Sequence, residues 1–326
     1  MSRFDYLIEK ISKADFLDHP FRHVYITDFL LEEDFKAITK SPEINVEPVS
    51  SDGELFEVLQ QKGYKPIQFP GCITNKQEYM DWHRSRKSQR YVHSACEGFG
   101  MTLRLYNPST PILEELISFL SSDAFNRALA EKFDLDFENC KVDNGIQKYL
   151  DGYEISPHPD IRRKAATFMV NINPHADSEE RDHHTHYLQL KDEHSHVRKF
   201  WDANLEKERC WVPWDWCDVV KTQPENNSIV LFAPGNDTMH AVRARYDHLD
   251  GQRTQLYGNL WHSDVGDLPP HDWELFELAS GKLNWGAIKR TARDHLPQPV
   301  VSMAKKALRR GKADSDQSAD LGTRSY

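Results

Sequence analysis

Chemistry in this chain is most legible where a histidine and an aspartate stand two residues apart. On an extended strand such a pair projects from one face, because side chains alternate with period two. Four pairs occur: His158-Pro159-Asp160, His175-Ala176-Asp177, His248-Leu249-Asp250 and His262-Ser263-Asp264. With sixteen histidines, about one or two would arise by chance, so the setting of each pair must decide. His175 and Asp177 follow the Asn173-Pro174 turn and open a polar stretch. His248 and Asp250 run into Asp250-Gly251, a hairpin-turn signal. His262 and Asp264 come after the last strand pattern, with no strand left to deliver a further ligand. Only His158 and Asp160 have strand signals on both sides. His240, opening the strand that returns from Pro234-Gly235, supplies a third ligand. Two histidines and one carboxylate on one face of an octahedral ion leave three positions open, the donor set of non-haem iron chemistry.

The next strand pattern opens with Arg253. A buried arginine beside a metal is unfavourable unless an anion meets it, and a bidentate carboxylate is its natural partner. The order of metal pair, distal histidine and arginine is more specific than any one of these residues.

These side chains need a scaffold, and the pattern after Cys140 provides one. Segments 146–149, 154–158, 167–172, 186–190, 228–232, 239–243 and 254–260 read as short strands, mostly separated by turn signals such as Asp151-Gly152. Short strands without long helices between them predict an antiparallel sandwich or barrel. Before them the chain reads as mainly helical, with a clear helical pair at 111–120 and 122–133 begun by Pro111 and capped by Ser121-Ser122-Asp123. Residues 47–100 look irregular. The segment 175–223 reads as a long, charged, histidine-rich insertion of the kind that forms lids, with 204–209 as a solvent-facing helix. A basic amphipathic helix is expected at 300–310, ahead of a disordered tail.

A length of 326 residues, 39% hydrophobic and 28% charged, is that of a soluble globular protein with a substantial core. The net charge of -10 argues against nucleic-acid binding. Five scattered cysteines without a CxxC pair predict reduced thiols, and with no signal-peptide core or spanning segment the expected location is cytoplasmic, with no membrane partner.

With these residues in view, 146–261 resembles the core of 2-oxoglutarate/Fe(II)-dependent oxygenases, in the prolyl-hydroxylase-like branch. The likeness rests on Gln147-Lys148-Tyr149, the Asp151-Gly152 turn, the His158/Asp160 pair, the strand 168–174, His240 and Arg253, extends to the helical pair at 111–133 and more loosely to 21–35, and covers most of 20–262. It implies an α+β fold: a double-stranded β-helix, jelly-roll or cupin-like, with flanking N-terminal helices. The expected division is 1–140 packing on the core, 141–265 as catalytic core with the insertion at 175–223, and 266–326 as a C-terminal extension. It implies Fe(II) held by His158, Asp160 and His240, and 2-oxoglutarate held at its far carboxylate by Arg253, with Tyr149 or Tyr257 completing the pocket. It further implies O2 as oxidant, ascorbate in a supporting role, and release of succinate and CO2 as a C–H bond is oxidised. Two departures stand out. Thr185-His186 replaces a glycine pair, and strand 167–172 lacks the tyrosine that often binds the co-substrate.

Two other functions fit the ligands: a zinc hydrolase, which leaves Arg253 without a task, and a non-catalytic β-barrel binding module. The histidines at 175, 183, 184, 186, 194 and 196 read as a polar lid, with a second metal site as the alternative. Arg162, Arg163 and Lys164 read as a solvated loop or as partners of an anionic substrate group. Trp211, Trp214 and Trp216 read as packing of the insertion or as a substrate wall. The expected partner is a small-molecule or amino-acid-type substrate.

Overall fold

The computed structural model describes residues 2–69, 72–86, 98–205 and 207–263. These belong to the first of two units into which the chain divides, Met1–Leu275; the second, Phe276–Tyr326, with the basic stretch expected at 300–310, lies outside the described residues. In chain order the elements are α1 (Tyr6–Lys13), β1 (Val24–Ile26), α2 (Glu32–Thr39), α3 (Asp52–Gln61), β2 (Tyr64–Pro66), α4 (Lys76–Arg86), β3 (Thr102–Leu105), α5 (Pro111–Leu120) and α6 (Asp123–Lys132). Then follow β4 (Cys140–Tyr149), β5 (Ile155–His158), β6 (Lys164–Asn171), β7 (His186–Leu190), α7 (His196–Ala203), β8 (Cys217–Thr222), β9 (Ile229–Phe232), β10 (His240–Val242) and β11 (Arg253–His262).

From β4 onward the strands pass back and forth between two antiparallel sheets, except that β7 and β8 are consecutive in one of them. The larger contains β9-β6-β11-β4 and the smaller β5-β10-β7-β8. Numbering these eight from β4, the orders are 6-3-8-1 and 2-7-4-5, the winding of a jelly roll or double-stranded β-helix. The N-terminal region widens the larger sheet: β1 pairs with β9, and β3 and β2 extend it beyond β4.

Alternation along the larger sheet explains where the core and the site lie. Even-numbered Ile146, Phe168, Val170, Leu256 and Leu260 join one apolar cluster with Leu116 and Leu120 of α5 and Phe125 and Leu129 of α6. Odd-numbered Gln147, Tyr149, Arg253, Gln255, Tyr257 and Asn259 line a cavity instead. The hydrophobic effect thus places the helices on one face of the sheet and leaves a polar interior on the other. Gly258 is needed for this packing: a Cβ there would sit 2.3 Å from a carbon of the Phe168 ring.

The helical pair lies as expected, with Pro111 in the first turn of α5 and the Ser122 hydroxyl accepting from Phe125 N–H at the start of α6. The described residues of 47–100 form more regular structure than their composition suggests, with α3, β2 and α4. The signal is Ser51-x-x-Glu54: the Ser51 hydroxyl caps α3, and Glu54 accepts from Ser50 N–H. The stretch 175–223 contains β7 and β8, half of the smaller sheet, joined through α7, which buries Val197 and Trp201. The described residues of 204–209 form no helix, and Glu208 is buried against Arg163. Among the described residues no helix is long and apolar enough to cross a membrane.

Candidate metal centre and its cavity

The Asp151-Gly152 turn leads from β4 into the metal pair. Gly152 has φ +73°, and the Trp82 ring lies so close that a Cβ would come within 2.1 Å of it. β5 then delivers His158, Asp160 follows in the connection to β6, and β10 opens with His240 as the register partner of His158. The ligand atoms of His158, Asp160 and His240 lie within 4.8 Å of one another. They border a cavity of about 580 Å³ between the sheets.

The tautomers fit a metal. His158 Nδ1 lies 2.8 Å from Ser156 O, and His240 Nδ1 lies 2.9 Å from Thr238 O. A carbonyl can only accept, so each Nδ1 carries the hydrogen and each neutral ring turns its Nε2 lone pair outward. Metal-bound histidines are commonly oriented in this way. Burial, then the neighbouring His240, pushes His158 down to about 3, and burial lowers His240 also, so both rings are neutral near pH 7. Burial alone would raise Asp160, but Lys164 reverses this and holds its carboxylate ionised. Lys164 Nζ donates to Asp160 Oδ1 at 2.6 Å and to Tyr257 Oη at 2.7 Å, while Thr167 donates to Asp160 Oδ2 at 2.6 Å.

A second group of similar composition, Asp52, His83 and His248, also brings its ligand atoms together. Its hydrogen bonds point elsewhere. His248 Nδ1 accepts from Asp151 N–H at 3.0 Å, which forces the proton onto Nε2, 2.8 Å from Asp52 Oδ1. His83 Nε2 faces Asp151 Oδ2 at 2.8 Å. Both nitrogens of His248 are engaged within the protein, so this group is a hydrogen-bond network that ties α3 and α4 to the turn before β5.

Arg253 is 5% exposed and lines the same cavity as the triad. Its Nη2 donates to Thr185 Oγ1 at 2.7 Å, and its guanidinium lies 4.9 Å from the Tyr149 ring centroid. No described carboxylate pairs with it, and its Nε has no hydrogen-bond partner. A buried cation without a counter-charge is unfavourable. Tyr149 donates to Gln147 Oε1 at 2.9 Å, beside the guanidinium. Tyr257 is turned toward Lys164 instead. Thr185, noted in the sequence only as a departure from a glycine pair, is the residue that orients Arg253.

The other candidates are dispersed. The histidines at 175, 183, 184, 186, 194 and 196 form no three-ligand group among the described residues. His194 stacks on Trp216 with ring centroids 4.4 Å apart, and Trp214 packs edge-on against His186. Only Trp211 of the three tryptophans lines the cavity. Arg162 lies over the Trp201 ring and bonds Lys207 O, Arg163 pairs with Glu208, and Lys164 pairs with Asp160. Lys164 is a strand residue, whereas Arg162 and Arg163 stand in the turn before β6, the Arg163 side chain 44% exposed.

No protein-family model and no curated protein matches the chain. Among solved structures it is similar to a prolyl-4-hydroxylase from Pseudomonas putida, with TM-score 0.38, 11% identity, and 79% of this chain and 98% of that chain covered. It is also similar to a prolyl hydroxylase from Trichoplax adhaerens in complex with a hypoxia inducible factor oxygen degradation domain peptide fragment, with TM-score 0.38, 10% identity, and 79% and 89% covered. A 2OG-Fe(II) oxygenase family oxidoreductase from Burkholderia pseudomallei gives TM-score 0.29, 9% identity, and 67% and 94% covered.

Proposed function

We propose that the protein is an Fe(II)- and 2-oxoglutarate-dependent dioxygenase that hydroxylates a C–H bond of a small-molecule or amino-acid-type substrate. The reading places catalysis in 141–265, with 1–140 packed on it as support. One observation carries it: an unpaired, buried Arg253 shares a single cavity with two histidines held in the metal-binding tautomer and an ionised aspartate. A zinc hydrolase would use the three ligands and leave the arginine uncompensated.

His158, Asp160 and His240 would hold the ion. Iron(II) bound there supplies the redox chemistry that couples decarboxylation of 2-oxoglutarate, with loss of succinate and CO2, to oxidation of the C–H bond by O2. The chain's own residues do the rest. Arg253, oriented by Thr185 and backed by the Tyr149 face, pairs with the far carboxylate of the co-substrate. Lys164 and Thr167 fix the Asp160 carboxylate from the side of β6. Tyr257 steadies Lys164. A volume of about 580 Å³ is that of a small-molecule pocket and leaves room for a substrate beside the co-substrate.

The test is an anaerobic preparation with iron and 2-oxoglutarate, exposed to oxygen and screened against metabolite pools. Succinate formed with oxygen uptake, and enhanced by one pool, supports the reading. Turnover with zinc alone, indifferent to 2-oxoglutarate, overturns it.

A further inference from the structure

Arg253 borders a second, smaller pocket on its other side. Tyr149, Tyr153, Val242 and Arg253 line both spaces, so they form the partition between them. Beyond the partition stand His183, Arg243 and Arg245.

The charges here do not balance within the protein. Arg243 and Arg253 pair with no carboxylate among the described residues, while Arg245 reaches Asp182 at 3.5 Å. Two carboxylates line the pocket: Asp151 is committed, and Asp247 lies in the field of both Arg181 and Arg245. Asp151 accepts from His248 N–H and faces His83, and Asp247 faces Arg181 at 3.9 Å. The Nε atoms of Arg243, Arg245 and Arg253 and the Nε2 of His183 are all buried without a hydrogen-bond partner. His183 itself is 7% exposed. Burial, then Arg253, pushes its imidazole down to about 2, so it stays neutral and adds no further positive charge. These four nitrogens belong to side chains that line one small space, and buried donors without partners are unfavourable, although Arg245 is 39% exposed beside Asp182 and Arg243 lies 4.5 Å over the Trp214 ring.

Size narrows the ligand. The space measures about 20 Å³, against about 10–15 Å³ for one water-sized particle. A space of that size takes a chloride.

We propose that this pocket is a halide site that shares Arg253 with the large cavity, and that chloride bound there weakens the binding of a dicarboxylate on the other side. One guanidinium cannot serve two anions at full strength, and the coupling is reciprocal. The second half rests on the reading of Arg253 as the 2-oxoglutarate anchor; the first does not.

The experiment compares chloride with gluconate at constant ionic strength, using the full chain. Chloride is expected to raise the melting temperature saturably and to weaken 2-oxoglutarate binding by about fivefold. Crystals soaked in bromide are expected to give an anomalous peak between Arg243, Arg245 and Arg253. In Arg243→Gln, and separately in Arg245→Gln, the halide effects on melting and on 2-oxoglutarate binding are expected to vanish. Absence of the bromide peak, or equal melting in chloride and gluconate, overturns the site. A bromide peak with halide-independent 2-oxoglutarate affinity overturns the coupling alone. A bromide peak in a protein that binds no 2-oxoglutarate at all leaves the halide site standing while the proposed function falls.

Discussion

His158 and His240 are register partners across the β5–β10 ladder, with ring centroids 4.3 Å apart, and each donates its Nδ1 hydrogen to the carbonyl two residues before it. The same local device is used twice, once on each strand. Two neutral imidazoles therefore turn their lone pairs toward the Asp160 carboxylate, whose Oδ1 is 3.8 Å from His240 Nε2.

That arrangement predicts about one divalent ion per chain, held by three ligands. Asp160→Ala is expected to lose it while retaining the far-ultraviolet circular dichroism of the parent. Elemental analysis after anaerobic loading and desalting reads the outcome. Undiminished metal in Asp160→Ala would move the site elsewhere, with Asp52, His83 and His248 as the next group to mutate.

Arg253 carries the second prediction. In the unliganded protein, Arg253→Met removes a buried charge that has no internal partner, so the melting temperature should rise or stay level. The same change should weaken 2-oxoglutarate binding by about 100-fold, since a charge-assisted, desolvated contact is worth about 2–5 kcal/mol. Calorimetric titration and thermal melting measure the two effects. A variant that melts lower and binds 2-oxoglutarate as the parent does would make Arg253 structural.

Lys164 sets opposing effects against each other, and magnitude decides between them. It orients Asp160, but it also places a positive charge on a carboxylate proposed to hold a cation. Two unit charges about 5 Å apart interact by about 3 kcal/mol at an effective dielectric of about 20, and a divalent ion doubles that. Thr167 still holds the other oxygen. Lys164→Met is therefore expected to bind divalent metal at least about tenfold more tightly. Breaking the buried pair should destabilise the metal-free protein by about 3–5 kcal/mol. Melting with and without added Co(II) tests both, and a weaker metal site in the variant would show that orientation outweighs charge.

Much of this was legible in the sequence because strand order and alternation are local patterns. The His158/Asp160 pair stands out by the strands around it, and α5 and α6 by Pro111 and Ser122. β8 was hidden because it is an edge strand: Asp218 and Val219 are exposed, which masks the alternation of its buried positions. The network of Asp52, His83 and His248 could not be read, since its members come from three distant segments. Arg253's isolation was likewise invisible, because the lack of a partner is a property of the folded cavity. Thr185 looked like a missing glycine and turns out to hold a guanidinium.

Lys148 breaks the alternation of β4 most plainly, since its even-numbered position faces the helices with Ile146. It is fully buried, and its ammonium meets only neutral acceptors, Ile44 O and Thr254 Oγ1, each at 2.8 Å. Burial, and after it the charge of Lys62, pushes it down from 10.5 to about 7. Between about 7 and 10.5 the unfolded chain then holds a proton at this position that the folded chain has released. Stability accordingly rises with pH across that window, and the full penalty applies below it. The shift corresponds to about 4–5 kcal/mol of penalty at low pH, while loss of the two hydrogen bonds in Lys148→Met costs about 1–3 kcal/mol. The variant is therefore expected to be more stable than the parent at pH 6 and less stable at pH 10, with the two stability curves crossing in between. Chemical denaturation at both pH values measures the difference, in which groups that titrate alike in both proteins cancel. Parallel curves would mean that Lys148 keeps its proton on folding.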